Sequence, residues 1–219
     1  PAAGDPAADH IALQARDVHF DFAELRTDWI PGEPFASHLI DVLHLLLPEG
    51  ERWFVDVFSR ALPMVRDEAL AEDVRGFIGQ EAVHATSHQG ALDHLVEAGV
   101  DVTRFVEQVE WIFKELLGDR GLTGDAAREW LVERVGLIAA IEHFPAVLGS
   151  WILDSAALDA AGADPHMLDM LRWHGAEEVE HRNVAHDLYT HLDGRWLRRI
   201  RAMAVAGPAL ALTPDQGGQ

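Results

Sequence analysis

Cysteine is absent from the 219 residues, which excludes disulfides, thiolate metal sites and thiol nucleophiles. Positive charge is scarce: 17 lysines and arginines face 37 acidic residues, for a formal net charge of -20. A chain this acidic repels nucleic acid, and no basic patch reverses that. No alternating polar and apolar pattern persists, so strands are not expected. No apolar run reaches the length of a membrane span, because the longest are interrupted by Glu142, Pro145 or Asp154. Pro1–Asp9 lack the basic stretch and apolar core of a signal peptide, so a cytoplasmic location is expected.

What is present is helical periodicity over a length sufficient for one domain with a sizeable core. The expected division is an extended arm over 1–34, a single helical domain over 35–206 and a polar tail over 207–219. Phe20, Phe22 and Trp29 are candidate anchors for the arm. A short helix is expected over Phe35–Leu47, stopping before Pro48, and a second from Glu49 to Pro63. A long helix follows from Asp67 to Ala98, closed by Gly99. An amphipathic stretch covers 101–117. One helix then runs from Thr123 or Asp125 to Ala161, and another from Asp164-Pro165 to Gly194. A short basic helix, Arg195 to Ala206, precedes the tail. The aromatic residues Trp53, Phe54, Phe77, Phe144 and Trp173 read as core rather than pocket.

Chemistry enters with two Glu-x-x-His tetrads on separate helices, Glu81 to His84 and Glu178 to His181. Residues three apart on a helix point within about 60° of each other, so a carboxylate and an imidazole can hold one cation together. Glu51 lies upstream of the first tetrad and Glu142 between the two. This order of Glu, tetrad, Glu, tetrad is the one helix bundles use to hold paired iron or manganese ions. One such tetrad is weak, since roughly one match is expected by chance. Two mid-helix tetrads with flanking acids are a stronger signal. His88 shares a face with Glu81 and His84, while His174 and Glu177 share one with Glu178 and His181. Interhelical salt bridges are the alternative for the tetrads. For Glu142 it is an ordinary helix acid, and for Glu51 an acid favoured by the helix dipole. His88 and Glu177 stand as extra ligands or as supports for ligands. His143 and Glu180 point elsewhere, and His10, His19, His38 and His191 have no partner pattern. Carboxylate with imidazole suits iron, manganese or zinc.

Three segments carry a resemblance to a known family: Leu47 to Phe54, Gly76 to His84 with His88, and Trp173 to His181. From about Trp29 to Leu192 the chain resembles the bacterial family named "predicted metal-dependent hydrolase", whose members look like ferritin-like dimetal proteins. The resemblance implies an all-α, ferritin-like four-helix bundle with additional short helices. At the level of the site, His174, Glu178 and His181 are similar to the His-x-x-x-Glu-x-x-His run of the di-iron arylamine N-oxygenases. That similarity implies two iron ions and seven ligands. Glu51, Glu81 and His84 would serve one ion. Glu142, His174, Glu178 and His181 would serve the other, with Glu81 or Glu178 bridging. The expected activity is then a non-haem di-iron oxygenase or oxidase acting on a small organic molecule with O2, N-oxygenation included. Its partners would be that molecule, O2 and an electron-donor protein, and a homodimer is compatible. A dimetal hydrolase and a ferritin-like iron-binding protein are the alternatives.

Overall fold

A computed structural model describes residues 12–211, with side chains described as far as residue 208. The ends of the expected arm and tail, 1–11 and 212–219, lie outside the described residues. Among the described residues every regular element is helical.

Residues 12–33 form an extended segment along the second helix. Helix α1 (Pro34–Ala61) opens with Pro34 in its first turn and continues unbroken through Pro48. The expected stop at Pro48 is therefore corrected. Pro48 lacks the N–H that would bond the His44 carbonyl, yet it is buried, and α1 is held along its length by packing on α2. Helix α2 (Glu68–Glu97) begins at Asp67, whose side chain accepts from the Leu70 N–H, and ends before Gly99 at a φ of +89°. Helix α3 (Thr103–Trp111) runs into a single π turn, Ile112–Leu116.

The long helix expected over Thr123–Ala161 is three helices, α4 (Gly124–Ile141), α5 (His143–Asp154) and α6 (Ala156–Ala160). The break between α4 and α5 falls at Glu142, three residues before Pro145, whose ring would clash with the Ile141 carbonyl and which has no N–H to offer it. Gly124–Asp154, taken together, is the one stretch among the described residues long and apolar enough to cross a membrane. That corrects the expectation that no run reaches this length. It is partly buried, with Glu142 at the break. Helix α7 (Pro165–His181) starts at Asp164, which accepts from the His166 and Met167 N–H groups. A turn at Arg182-Asn183 separates it from α8 (Val184–Leu192), where one helix to Gly194 was expected. Helix α9 (Trp196–Ala211) follows.

The main packing pairs are α1 with α2, α5 with α7, and α4 with α8 and α9. One apolar cluster joins Phe54 and Phe58 of α1, Phe77 of α2, Ile138 of α4 and Leu188 of α8. A second joins Phe22 and Trp29 of the extended segment, Ala91 of α2, Ile152 of α5 and Met167 and Leu171 of α7. Along α2, Phe77 belongs to the first cluster and Ala91 to the second. Residues 81–88 lie between them. Along α7 and α8, residues 174–181 lie between Leu171 and Val184 in the same way. The polar residues thus occupy one layer between two apolar ones. At roughly 1.5–3 kcal/mol for each large side chain buried, these clusters can support a layer that is itself costly to bury.

Candidate metal centre

Four helical segments deliver the layer. Glu51 comes from α1, Glu81, His84 and His88 from α2, Glu142 from the α4–α5 break, and His174, Glu177, Glu178 and His181 from α7. All nine are buried, with His174 the most exposed at 6%. Two overlapping groups emerge, Glu51 with His84, His174 and Glu178, and Glu81 with His84, Glu178 and His181. Within each group one ligand atom per residue lies within 4.8 Å of the others.

Carboxylate and imidazole atoms of different segments approach closely, with His181 meeting one glutamate on each of its two ring nitrogens. His174 Nε2 is 3.6 Å from Glu51 Oε1, His181 Nε2 is 3.4 Å from Glu81 Oε1, and His181 Nδ1 is 3.2 Å from Glu142 Oε2. Two donors at about 2.1 Å from one ion, at right-angled to tetrahedral spacing, stand about 3.0–3.4 Å apart. Both oxygens of Glu51, Glu81 and Glu142 have no hydrogen-bond partner; nor do Glu178 Oε2, His84 Nδ1 or either nitrogen of His181. A buried polar atom without a partner costs about 1–3 kcal/mol, more for a charge. Here the orphaned atoms converge, and among the described residues no lysine or arginine forms an ion pair with these four glutamates. The interhelical pairs present are imidazole–carboxylate ones, His174–Glu51, His181–Glu81 and His181–Glu142. Bound cations are the partners this donor set fits.

Electrostatics without a cation point the same way. Burial, then the neighbouring glutamates, raise Glu51 and Glu81 well above the ordinary carboxyl value and bring Glu178 up to about 8. Burial, then the neighbouring imidazoles, depress His84 and His88, and burial together with His181 takes His174 down to about 3. His181 behaves differently: burial acts to lower it, yet Glu178 and Glu142 raise it above its ordinary value.

Glu177 has a different role from its neighbours. Its Oε2 lies 3.0 Å from His84 Nε2, and its Oε1 accepts from Trp173 Nε1 at 3.2 Å and from Arg16. Satisfied on both oxygens, it orients His84 so that Nδ1 faces the cluster. Arg16 reaches it from the extended segment and pairs with Glu180 as well. On the other side, His88 Nε2 lies 2.6 Å from His174 Nδ1, and His88 Nδ1 lies 2.8 Å from His44 Nδ1. This imidazole chain turns His174 Nε2 toward Glu51 and Glu178. Arg16, His44 and the Trp173 contact were missed at the sequence level. His44 had a readable signal, because it precedes Glu51 by seven residues, two turns on one face.

The oxygenase similarity implies His174 and His181 on one ion; in the two ligand groups here His174 lies with Glu51, His84 and Glu178, and His181 with Glu81, His84 and Glu178. His143 is exposed, and Glu180 is exposed but paired with Arg16.

A cavity of about 740 Å³ opens onto Glu51, Glu81, Glu142, His174 and Glu178. Its walls include Phe54 of α1, Phe113 of the π turn and Phe144 of α5. Phe54 and Phe144 were expected as core only; Phe54 serves both, belonging to the first apolar cluster and to this wall. Where the wall passes behind the ligands, α5 and α7 meet backbone to backbone. A Cβ on Gly175 would lie 2.9 Å from Gly149 Cα.

A family model described as "predicted metal-dependent hydrolase" matches residues 14–215, a longer span than the resemblance read from the motifs. No curated protein and no solved structure matches the chain.

Proposed function

The chain belongs to the predicted metal-dependent hydrolase family, and from that membership we propose that it is a dimetal hydrolase acting on a small organic substrate. The observation that carries the reading is the convergence of orphaned carboxylate and imidazole atoms beside an apolar cavity. Glu51, His174 and Glu178 would hold one divalent ion, and Glu81, His181 and Glu178 the second, completed by Glu142, with the one free nitrogen of His84, Nδ1, serving one of the two. Such a pair, when bound, activates water and polarises the bond to be cleaved. The chain's own residues do the rest. Glu177 and His88 fix the orientation of His84 and His174, and the walls around Phe54, Phe113 and Phe144 keep bulk water from the bound substrate. We read the four ligand-bearing segments as a ferritin-like arrangement.

A second reading, an O2-dependent di-iron oxygenase or oxidase, is favoured by one observation. The donors are carboxylates and imidazoles alone, the set that bundles use for iron and O2. Protein purified without chelator is first analysed for metal identity and count; about two ions per chain are expected. It is then assayed for ester and amide cleavage under strict anaerobiosis with zinc or manganese, and for O2 uptake with ferrous iron. Anaerobic cleavage that is lost in His181→Ala supports the hydrolase. O2 consumption without any anaerobic cleavage replaces it with the oxygenase, and a chain without stoichiometric metal refutes both.

A further inference from the structure

Building on the dimetal reading, we infer that the substrate is an uncharged, predominantly apolar molecule that enters between α1 and α5 with its reactive group innermost. The cavity of about 740 Å³ has the size of a pocket for a drug-sized ligand. Its lining includes no lysine and no arginine. Apart from His143 near the break, its polar residues are the glutamates and His174 of the candidate centre. The outer part is apolar on both sides, with Leu43 and Leu46 on α1 and Val147 and Trp151 on α5. Val147 and Trp151 are more than half exposed, which marks them as the rim of the opening.

Charge balance decides the class. The four glutamates of the centre, when ionised, neutralise the four positive charges of two divalent ions. Glu177 shares the single charge of Arg16 with Glu180, so this pair adds no positive surplus. The loaded floor therefore has no surplus positive charge, and the chain around it is strongly acidic. A phosphate ester or other polyanion would meet two ions already neutralised by carboxylates, with no lysine and no guanidinium fork in the lining to add positive charge. An apolar molecule gains from burial along the whole channel.

The test is binding, read apart from turnover. Calorimetric titrations of the metal-containing protein use 1-octanol, 1-butanol and phenyl phosphate. Octanol should bind roughly 200-fold more tightly than butanol, the effect of four further buried methylenes, and phenyl phosphate should not bind. Val147→Trp at the rim, and independently Leu46→Trp on the facing wall, should weaken octanol binding at least about tenfold while leaving metal content unchanged, since neither residue belongs to the ligand set. Phenyl phosphate binding more tightly than octanol, or octanol affinity unaltered in both tryptophan variants, overturns the inference. Hydrolysis of 4-nitrophenyl esters separates this from the parent reading. Octanol binding without cleavage of any ester leaves the substrate class standing and removes the hydrolase. Ester cleavage indifferent to chain length, without octanol binding, does the reverse.

Discussion

Replacing Glu178 by glutamine should have opposite effects on the metal-free and metal-loaded protein. Glu178 belongs to both candidate ligand groups, and in the metal-free state its pKa rises from 4.5 to about 8. A carboxyl raised in this way supports the fold fully below its unfolded value, near 4.5. That contribution is lost progressively as pH climbs toward 8. Each pH unit over which the folded chain keeps a proton that the unfolded chain has released costs about 1.4 kcal/mol. Between pH 5 and pH 7 the cost grows by about 3 kcal/mol, and glutamine, isosteric and neutral, removes it. For a chain of this length 1 kcal/mol moves Tm by about 2–4 °C. In excess chelator, Glu178→Gln should therefore melt roughly 5–10 °C above the parent at pH 7, and close to it at pH 5. With metal restored the order inverts, because the variant has lost a donor shared by both ions and with it the stabilisation that ligand binding confers. Scanning calorimetry at the two pH values, with and without chelator, checks all four conditions. A glutamine variant no more stable than the parent in chelator at pH 7, or equally stabilised by metal, refutes the reasoning.

The same electrostatics predict proton release on metal binding at pH 6.5. The raised carboxyls of Glu51, Glu81 and Glu178 must ionise and His181 must be neutral, while His84 and His174 already are. Titration calorimetry in two buffers of different ionisation enthalpy should show the release, with affinity rising up to about pH 8; identical enthalpies in both buffers would contradict it. His84→Ala and His181→Ala should each lower metal content and Tm together, whereas exposed His143→Ala should change neither, as elemental analysis and melting curves will show. Gly175→Ala drives a methyl group into the α5 backbone at Gly149 and should cost about 1–3 kcal/mol. Chemical denaturation measures that loss, and an unchanged midpoint would mean the two helices are further apart.

The helices and the ligand-bearing tetrads were legible in the chain because periodicity and caps are local. Asp67 and Gly99 bracket α2 to within a residue of where it lies. The proline rule misled in both directions. It ends a helix at Pro48, where burial and packing on α2 carry α1 through. It was not applied to Pro145, whose missing N–H and bulky ring fall at the break that positions Glu142. Spacing within α2 and α7 showed which side chains share a face, so Glu81, His84, His174, Glu178 and His181 could be grouped. It could not show that Arg16 reaches Glu177 or that His44 backs His88, since those contacts depend on how separate segments pair. Nor could it show the cavity, whose walls come from α1, the π turn and α5, elements with no common period.

The sequence presents the site as two equivalent halves, each a lone glutamate and a tetrad, but the two candidate ion positions differ. The position around Glu51 and His174 is backed by neutral imidazoles, His88 and then His44, and both are held uncharged by burial. The position around Glu81 and His181 is backed by Glu142 and by the edge contact of His181 with Phe77 at 4.8 Å. One position therefore has a neutral imidazole surround, and the other an additional carboxylate. His84 and Glu178 are common to both groups, so filling one position alters the field felt at the other. The asymmetry arises from elements outside the tetrads: the register of α1 that sets His44 two turns before Glu51, and the break that brings Glu142 to His181. A repeated motif thus yields two chemically unlike positions because the helices that complete it are not related as the tetrads are.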